Sequence, residues 1–240
     1  MRNLHRTVIA FLCAVLFITL PPLNAYSSTL TPQTAAAISN GLSTEPAPED
    51  KYKFVAENSL FIGDSLTHGL SMHGRMAEPM FLYSTGSNIF RARTGTFNTQ
   101  HGDQKTVASA VAAKEYEAVY ILFGINEIGF NPNVFIDSYS EFIDYVRDLL
   151  PGARIYIMSV LPVSRGRDAA GVFTRARVNT FNERLKALAE EKDGCCFIDI
   201  NSKLADANGF LPDSSTWDGV HLNANEYVVW AEHLKSYTFD

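Results

Sequence analysis

Phe61-Ile62-Gly63-Asp64-Ser65-Leu66-Thr67 is the stretch that decides the fold. Leu60 to Ile62 reads as the end of a buried strand, Gly63 permits a sharp turn, and Leu66 to Met72 carries helix-compatible residues. Strand, turn and helix in that order lift the Ser65 hydroxyl to the carboxyl edge of a sheet. They also aim the unpaired first amides of the helix at whatever that hydroxyl attacks. Ser65 is therefore placed for acyl transfer, against the plainer reading in which Asp64 or Ser65 only caps the helix.

Outward from this stretch, buried-strand runs alternate with helical patterns. Leu60 to Ile62, Ala118 to Phe123, Ile155 to Val160 and Cys196 to Ile200 are strand candidates, and Ile89 to Ala92 is a weaker fifth. Thr106 to Lys114, Val134 to Leu150 and Val172 to Lys192 carry apolar residues at helical spacing. The alternation predicts one α/β domain with a mostly parallel, about five-stranded sheet covered on both faces, and such sheets keep their sites at the carboxyl ends of the strands.

Residues with useful chemistry follow later strands at that same edge. After Ala118 to Phe123 comes Gly124-Ile125-Asn126-Glu127, where Asn126 can offer its amide to an oxyanion beside Ser65 or serve as an ordinary turn residue. In Arg91-Ala92-Arg93-Thr94-Gly95-Thr96, Gly95 places a backbone amide where it could approach the same oxyanion, with Gly86 as its competitor. In Trp217-Asp218-Gly219-Val220-His221, Asp218 can hold one imidazole nitrogen of His221 while the other faces Ser65, so that His221 takes the serine proton. An Asp-x-x-His pair also serves in metal sites, but His68, His73 and His101 are scattered and no further ligand cluster with suitable spacing occurs.

Gly63-Asp64-Ser65-Leu66, a glycine near Gly95, Gly124-x-Asn126 and Asp218-x-x-His221 resemble, in order, the four blocks of the SGNH, or GDSL-type, hydrolase superfamily. The resemblance runs from about Asn58 to Leu234. It implies a flavodoxin-like three-layer α/β/α fold and a serine esterase or acylhydrolase. Ser65 would be the nucleophile, His221 the base and Asp218 its orienting partner. The Ser65 amide, the Gly95 amide and the Asn126 side chain would form the oxyanion hole. The chain departs from the pattern at Glu127, where such families often carry Asp. The Gly-x-Ser-x-Gly elbow of the α/β-hydrolases is not matched, because Thr67 stands at its second glycine.

Met1 to Ala25 has the order of a secretory signal peptide: Arg2 and Arg6, the apolar stretch Val8 to Leu20, then Pro21 to Ala25 with cleavage expected after Ala25. The apolar stretch is shorter than the roughly 20 residues of a bilayer span, so no stable membrane span is expected after cleavage. Cleavage would leave 18 basic against 26 acidic residues, a net charge of -8, which argues against nucleic-acid binding. Residues 26–52, rich in Ser, Thr, Ala and Pro, read as a flexible linker, with a short helix over Thr34 to Ser39 as the alternative, and 53–240 as the domain. Cys195 and Cys196 are adjacent, too close for a relaxed disulfide. With 46% hydrophobic residues, the chain can be held by its core alone.

Three features surround the expected site. Met72, Met76 and Met80, at four-residue spacing, read as the buried stripe of one helix before they read as an acyl-binding lid. Arg165 and Arg167 leave the fourth strand at the catalytic edge, and Trp217 is either core or a platform for a sugar ring. The expectation is a secreted or envelope-associated serine esterase. It would remove short acyl groups, acetyl above all, from a small or polymer-linked ester such as an acetylated glycan, with no metal or organic cofactor. A lipid or thioester hydrolase, an O-acyltransferase and a non-catalytic envelope binding protein on the same scaffold are the rivals.

Overall fold

The computed structural model describes residues 56–236. The signal segment, the linker, the Thr34 to Ser39 helix and the first residues of the expected domain lie outside them. The first strand, β1 (Ser59–Gly63), is buried along its whole length. It leads directly into α1 (Ser65–His73), and Gly63 is required at the junction, since a Cβ there would stand 2.5 Å from the Leu122 carbonyl oxygen. Beyond it come β2 (Met80–Tyr83), α2 (Ile89–Ala92), the short strands β3 (Phe97–Thr99) and β4 (Gln104–Lys105), and α3 (Val107–Val111). The second half alternates as expected: β5 (Ala118–Leu122), α4 (Pro132–Leu149), β6 (Arg154–Met158), α5 (Arg165–Ala169), α6 (Arg175–Glu191), β7 (Cys195–Ile198), α7 (Asn201–Leu204) and α8 (Ala224–Ser236).

The sheet has seven strands rather than five, in the order β4-β3-β2-β1-β5-β6-β7. Its five long members, β2 to β7 through β1, are mutually parallel, and β3 and β4 extend one edge in antiparallel fashion. The parallel strands thus follow the flavodoxin-like order, and α1, α7 and α8 pack together while α2, α3, α4 and α6 pack together, which gives the three α/β/α layers. Between β1 and β5 the strand order reverses, opening the crevice in which such folds carry their sites.

Two expectations are corrected. Ile89 to Ala92 is a helix, α2, although Ile and Phe favour strands. The Met stripe does not exist, because α1 ends at its C-cap Gly74; Met72 is exposed on the helix, Met76 is buried beyond it, and Met80 opens β2. Cys195 and Cys196 are free thiols on the edge strand β7.

Candidate active site

Asp64 is the N-cap of α1: its Oδ1 accepts the Leu66 amide at 2.9 Å. Ser65 is thereby released from the capping role that the plainer reading gave it, and as the first residue of α1 it has one of the amides a helix leaves unpaired. Its Oγ lies 2.9 Å from His221 Nε2.

The loop before α8 delivers His221. Asp218 Oδ2 sits 2.7 Å from His221 Nδ1, and Asp218 Oδ1 accepts the amides of Val220 and His221 at 2.9 and 2.8 Å. Thr216 Oγ1 accepts the Gly219 amide and donates to the His221 carbonyl, closing the loop on itself. Gly219 has φ +86°, and a Cβ there would meet Ser164 Oγ at 2.6 Å and Arg167 Cβ at 2.8 Å, so the loop can lie this close to the β6–α5 connection only with glycine. Packing of α8 on α1 holds the two loops in register: Gly69 of α1 leaves room for the Tyr227 ring, which a Cβ would meet at 2.1 Å. Burial works against the charged form of Asp218, but the bonds from the His221 ring and the two amides outweigh it and hold the carboxyl below its ordinary range. This geometry fixes the His221 tautomer with Nδ1 carrying the proton and Nε2 free to accept one from Ser65.

Asn126 follows β5. Its Nδ2 donates to the Ser87 carbonyl at 2.7 Å and to Asp64 Oδ2 at 3.2 Å, which brings the third sequence block against the first. For this amide to face an oxyanion, the longer of the two bonds has to yield. The Gly95 amide donates to the Arg91 carbonyl at 2.8 Å, just past the short α2 segment. Gly86, the competitor, lies in the loop that follows β2, beside the Ser87 that Asn126 holds. It has φ +72° and no neighbour within 4 Å of its missing Cβ. Its amide makes no hydrogen bond among the described residues.

The residue whose importance the sequence concealed is Glu127. It is fully buried, and its two carboxylate oxygens accept the amides of Ile89 and Gly124, the latter at 3.1 Å. The N-cap of α2, Asn88, makes no side-chain capping bond, so Glu127 caps this helix from 38 positions away and ties it to the loop bearing Asn126. Asp64 and Glu127 form a buried acidic pair. Burial pushes Asp64 up to about 7 against the Leu66 amide bond and the His221 charge, and burial pushes Glu127 up to about 7 against the Ile89 bond, with the Asp64 charge adding to the rise.

A raised carboxyl binds its proton more tightly in the folded chain, so its contribution to stability is complete below the ordinary values of 3.8 and 4.5 and is lost as pH rises through about 7. Thermal melts of the full chain are expected to show a melting temperature that falls between pH 5 and pH 8. Glu127→Gln, which has no proton to lose there, is expected to melt lower overall with a shallower slope. Parallel slopes in the two proteins would contradict the assignment.

Among the described residues, no group of three or more His, Cys, Asp or Glu side chains is arranged to hold a metal, and no helix is long and apolar enough to cross a membrane. Trp217 is not core. It is 74% exposed, and its ring lies 5.5 Å from that of His221 with 15° between the planes.

Residues 61–228 match a family of ester-hydrolysing enzymes. It is the GDSL-like Lipase/Acylhydrolase family, and the chain belongs to it, as the four blocks suggested. The chain is 30% identical over 116 residues to the N-acylneuraminate cytidylyltransferase of Escherichia coli O18:K1:H7, a match covering 47% of this chain and 26% of that one. It spans about a quarter of the length of the curated relatives it matches. A solved structure of a candidate platelet activating factor from Streptococcus pneumonia is similar with a TM-score of 0.61 and 23% identity, over 77% of this chain and 85% of that one. A carbohydrate esterase family 3 structure from Talaromyces cellulolyticus is similar with a TM-score of 0.52 and 16% identity, over 74% of this chain and 93% of that one. At these identities the structural likeness speaks for the fold.

Proposed function

We propose that the chain is an exported serine esterase that removes short acyl groups, acetyl above all, from carbohydrate or cell-envelope substrates. The observation that carries the chemistry is the 2.9 Å contact between Ser65 Oγ and His221 Nε2, with Asp218 on the far ring nitrogen. In this reading Ser65 Oγ attacks the ester carbonyl while His221 Nε2 takes its proton. The amides of Ser65 and Gly86 and the side chain of Asn126 receive the oxyanion. His221 then protonates the departing alcohol, leaving an acyl ester on Ser65. Water, deprotonated by His221, attacks that ester and releases the acid, returning the proton to Ser65. Carbohydrate as the alcohol is supported by the similarity to a carbohydrate esterase and by the exposed indole of Trp217 next to the base. Export is supported by the order of parts in Met1 to Ala25, and detection of the chain in the medium or envelope fraction with Tyr26 as its new first residue tests it.

One observation favours a second reading. Phe90, the second residue of α2, and Phe130, in the loop that follows Asn126, are both exposed and pack on each other at 5.2 Å between centroids. Such an apolar rim suits a longer acyl chain of a lipid or thioester. The p-nitrophenyl ester series from acetate to decanoate separates the two. A kcat/KM that falls at least tenfold from acetate to octanoate supports the short-acyl reading, and a rise of that size replaces it with the lipid one.

A further inference from the structure

The connection from β6 to α6 touches both loops of the candidate site. At one end, the bridge between Ser164 and Leu211 and the bond from the Ser164 amide to the Gly219 carbonyl, 2.9 Å, fasten it to the triad loop. At the other end, Val172 Cγ1 comes within 3.1 Å of where a Cβ on Gly129 would stand, three positions past Asn126. This segment therefore runs between the two loops that carry His221 and Asn126.

Arg167 sits on it. Its Cβ is packed against Gly219, its guanidinium carbon lies 4.3 Å above the Phe173 ring, and its Nε is buried without a hydrogen-bond partner. Among the described residues it makes no ion pair. With Nε turned into the protein and the guanidinium laid on an aromatic ring, the Nη1–Nη2 edge, which makes no hydrogen bond among the described residues, is the one that can meet a carboxylate in bidentate fashion. Acidic residues outnumber basic ones in this chain, so general surface charge does not account for it. Two positions before Gly219 stands Trp217, whose exposed ring is nearly parallel to that of His221. Two unused recognition elements, a flat apolar face and a carboxylate-shaped cation, thus stand near one glycine of the triad loop.

We propose that the alcohol part of the ester is an acidic sugar unit, with its ring face on Trp217 and its carboxylate on Arg167. This rests on the esterase reading above and names its substrate class. The sugar's C–H face covers the indole while Arg167 supplies a bidentate, charge-assisted bond that a neutral sugar cannot use.

The test compares an acetylated oligogalacturonide with an acetylated xylo-oligosaccharide, using the full chain, Arg167→Gln, Arg167→Lys and Trp217→Ala, each checked by thermal melt. The natural chain is expected to prefer the acidic ester, and Arg167→Gln is expected to lower the acidic-to-neutral ratio of kcat/KM about ten- to hundredfold, mainly through KM. Arg167→Lys, keeping the charge without the fork, is expected to restore part of the ratio. Trp217→Ala is expected to raise KM for both sugars.

A ratio that Arg167→Gln leaves unchanged, in a chain that cleaves p-nitrophenyl acetate through Ser65, overturns the acidic-sugar assignment and leaves the esterase standing. An Arg167 effect confined to dibutyryl phosphatidylglycerol assigns the cation to a lipid phosphate and equally overturns it. Absence of Ser65-dependent hydrolysis of every ester brings down both readings together.

Discussion

Ser65→Ala is expected to lower kcat for p-nitrophenyl acetate by about a millionfold, the size of loss seen when a serine nucleophile is removed from a working triad. The expectation is sharp because the substitution removes little else. Asp64, not Ser65, caps α1 through the Leu66 amide, so the helix start survives and the melting temperature should stay within a degree or two of the natural chain. His221 and Asp218 keep their mutual contact at 2.7 Å, which does not involve Ser65. A loss of rate with folding intact assigns the hydroxyl to chemistry. If Ser65 were merely one more polar residue at a helix start, the same variant would lose a little stability and keep its rate. A folded Ser65→Ala chain that retains more than a hundredth of the activity would leave the serine mechanism without its nucleophile.

Asp218→Asn is expected to cost about 10⁴ in kcat, by the argument that applies wherever a carboxylate fixes a histidine tautomer. Asp218 presents Oδ1 to two backbone amides and Oδ2 to His221 Nδ1. Asparagine can keep the first set of bonds with its carbonyl oxygen, so the loop between Trp217 and His221 retains its shape. What then faces Nδ1 is an N–H₂ donor. The ring answers by moving its proton to Nε2, and the nitrogen beside Ser65 Oγ can no longer accept one. Rates measured from pH 6 to pH 9 should stay low throughout, since the fault lies in proton placement. A loss of less than tenfold would mean that Asp218 serves the loop rather than the base.

How far this could be read from the chain itself depends on how local each feature is. The turn at Gly63, the strands over Ala118 to Leu122 and Arg154 to Met158, and the long helices α4 and α6 announce themselves, because each buried run or amphipathic period lies within one segment. Strand β2 hid behind the four-residue spacing of Met72, Met76 and Met80, which imitates a helix although Gly74 and Pro79 interrupt it. The segment Ile89 to Ala92 looked like a strand because its cap is a carboxylate from 38 positions away; tertiary contact overrode local preference. Strands β3 and β4 are three and two residues long and partly polar, too brief for any period to show.

The site divides along the same line. Ser65, Asp218 and His221 meet as expected, because each stands in a block whose spacing reports its own turn. Gly95 and Gly86 look alike in the sequence because a loop glycine carries no mark of where its amide points; in the structure the Gly95 amide is bonded to the Arg91 carbonyl and the Gly86 amide is not bonded among the described residues. Glu127, read as a departure from the family pattern, is the buried link between α2 and the Asn126 loop, and the signal that could have exposed it was the absence of any basic partner nearby in the sequence. Exposure of Trp217 depends on the triad loop standing clear of the sheet, which no local pattern encodes.

The most direct measurement is mass spectrometry of the full chain after exposure to a fluorophosphonate, a reagent that phosphonylates a serine only when a neighbouring base activates it. The account predicts one adduct, on the peptide containing Ser65, formed by the natural chain and missing from His221→Ala. A folded natural chain that takes no label, or takes it on another residue, would contradict the claim that Ser65 and His221 form the working pair.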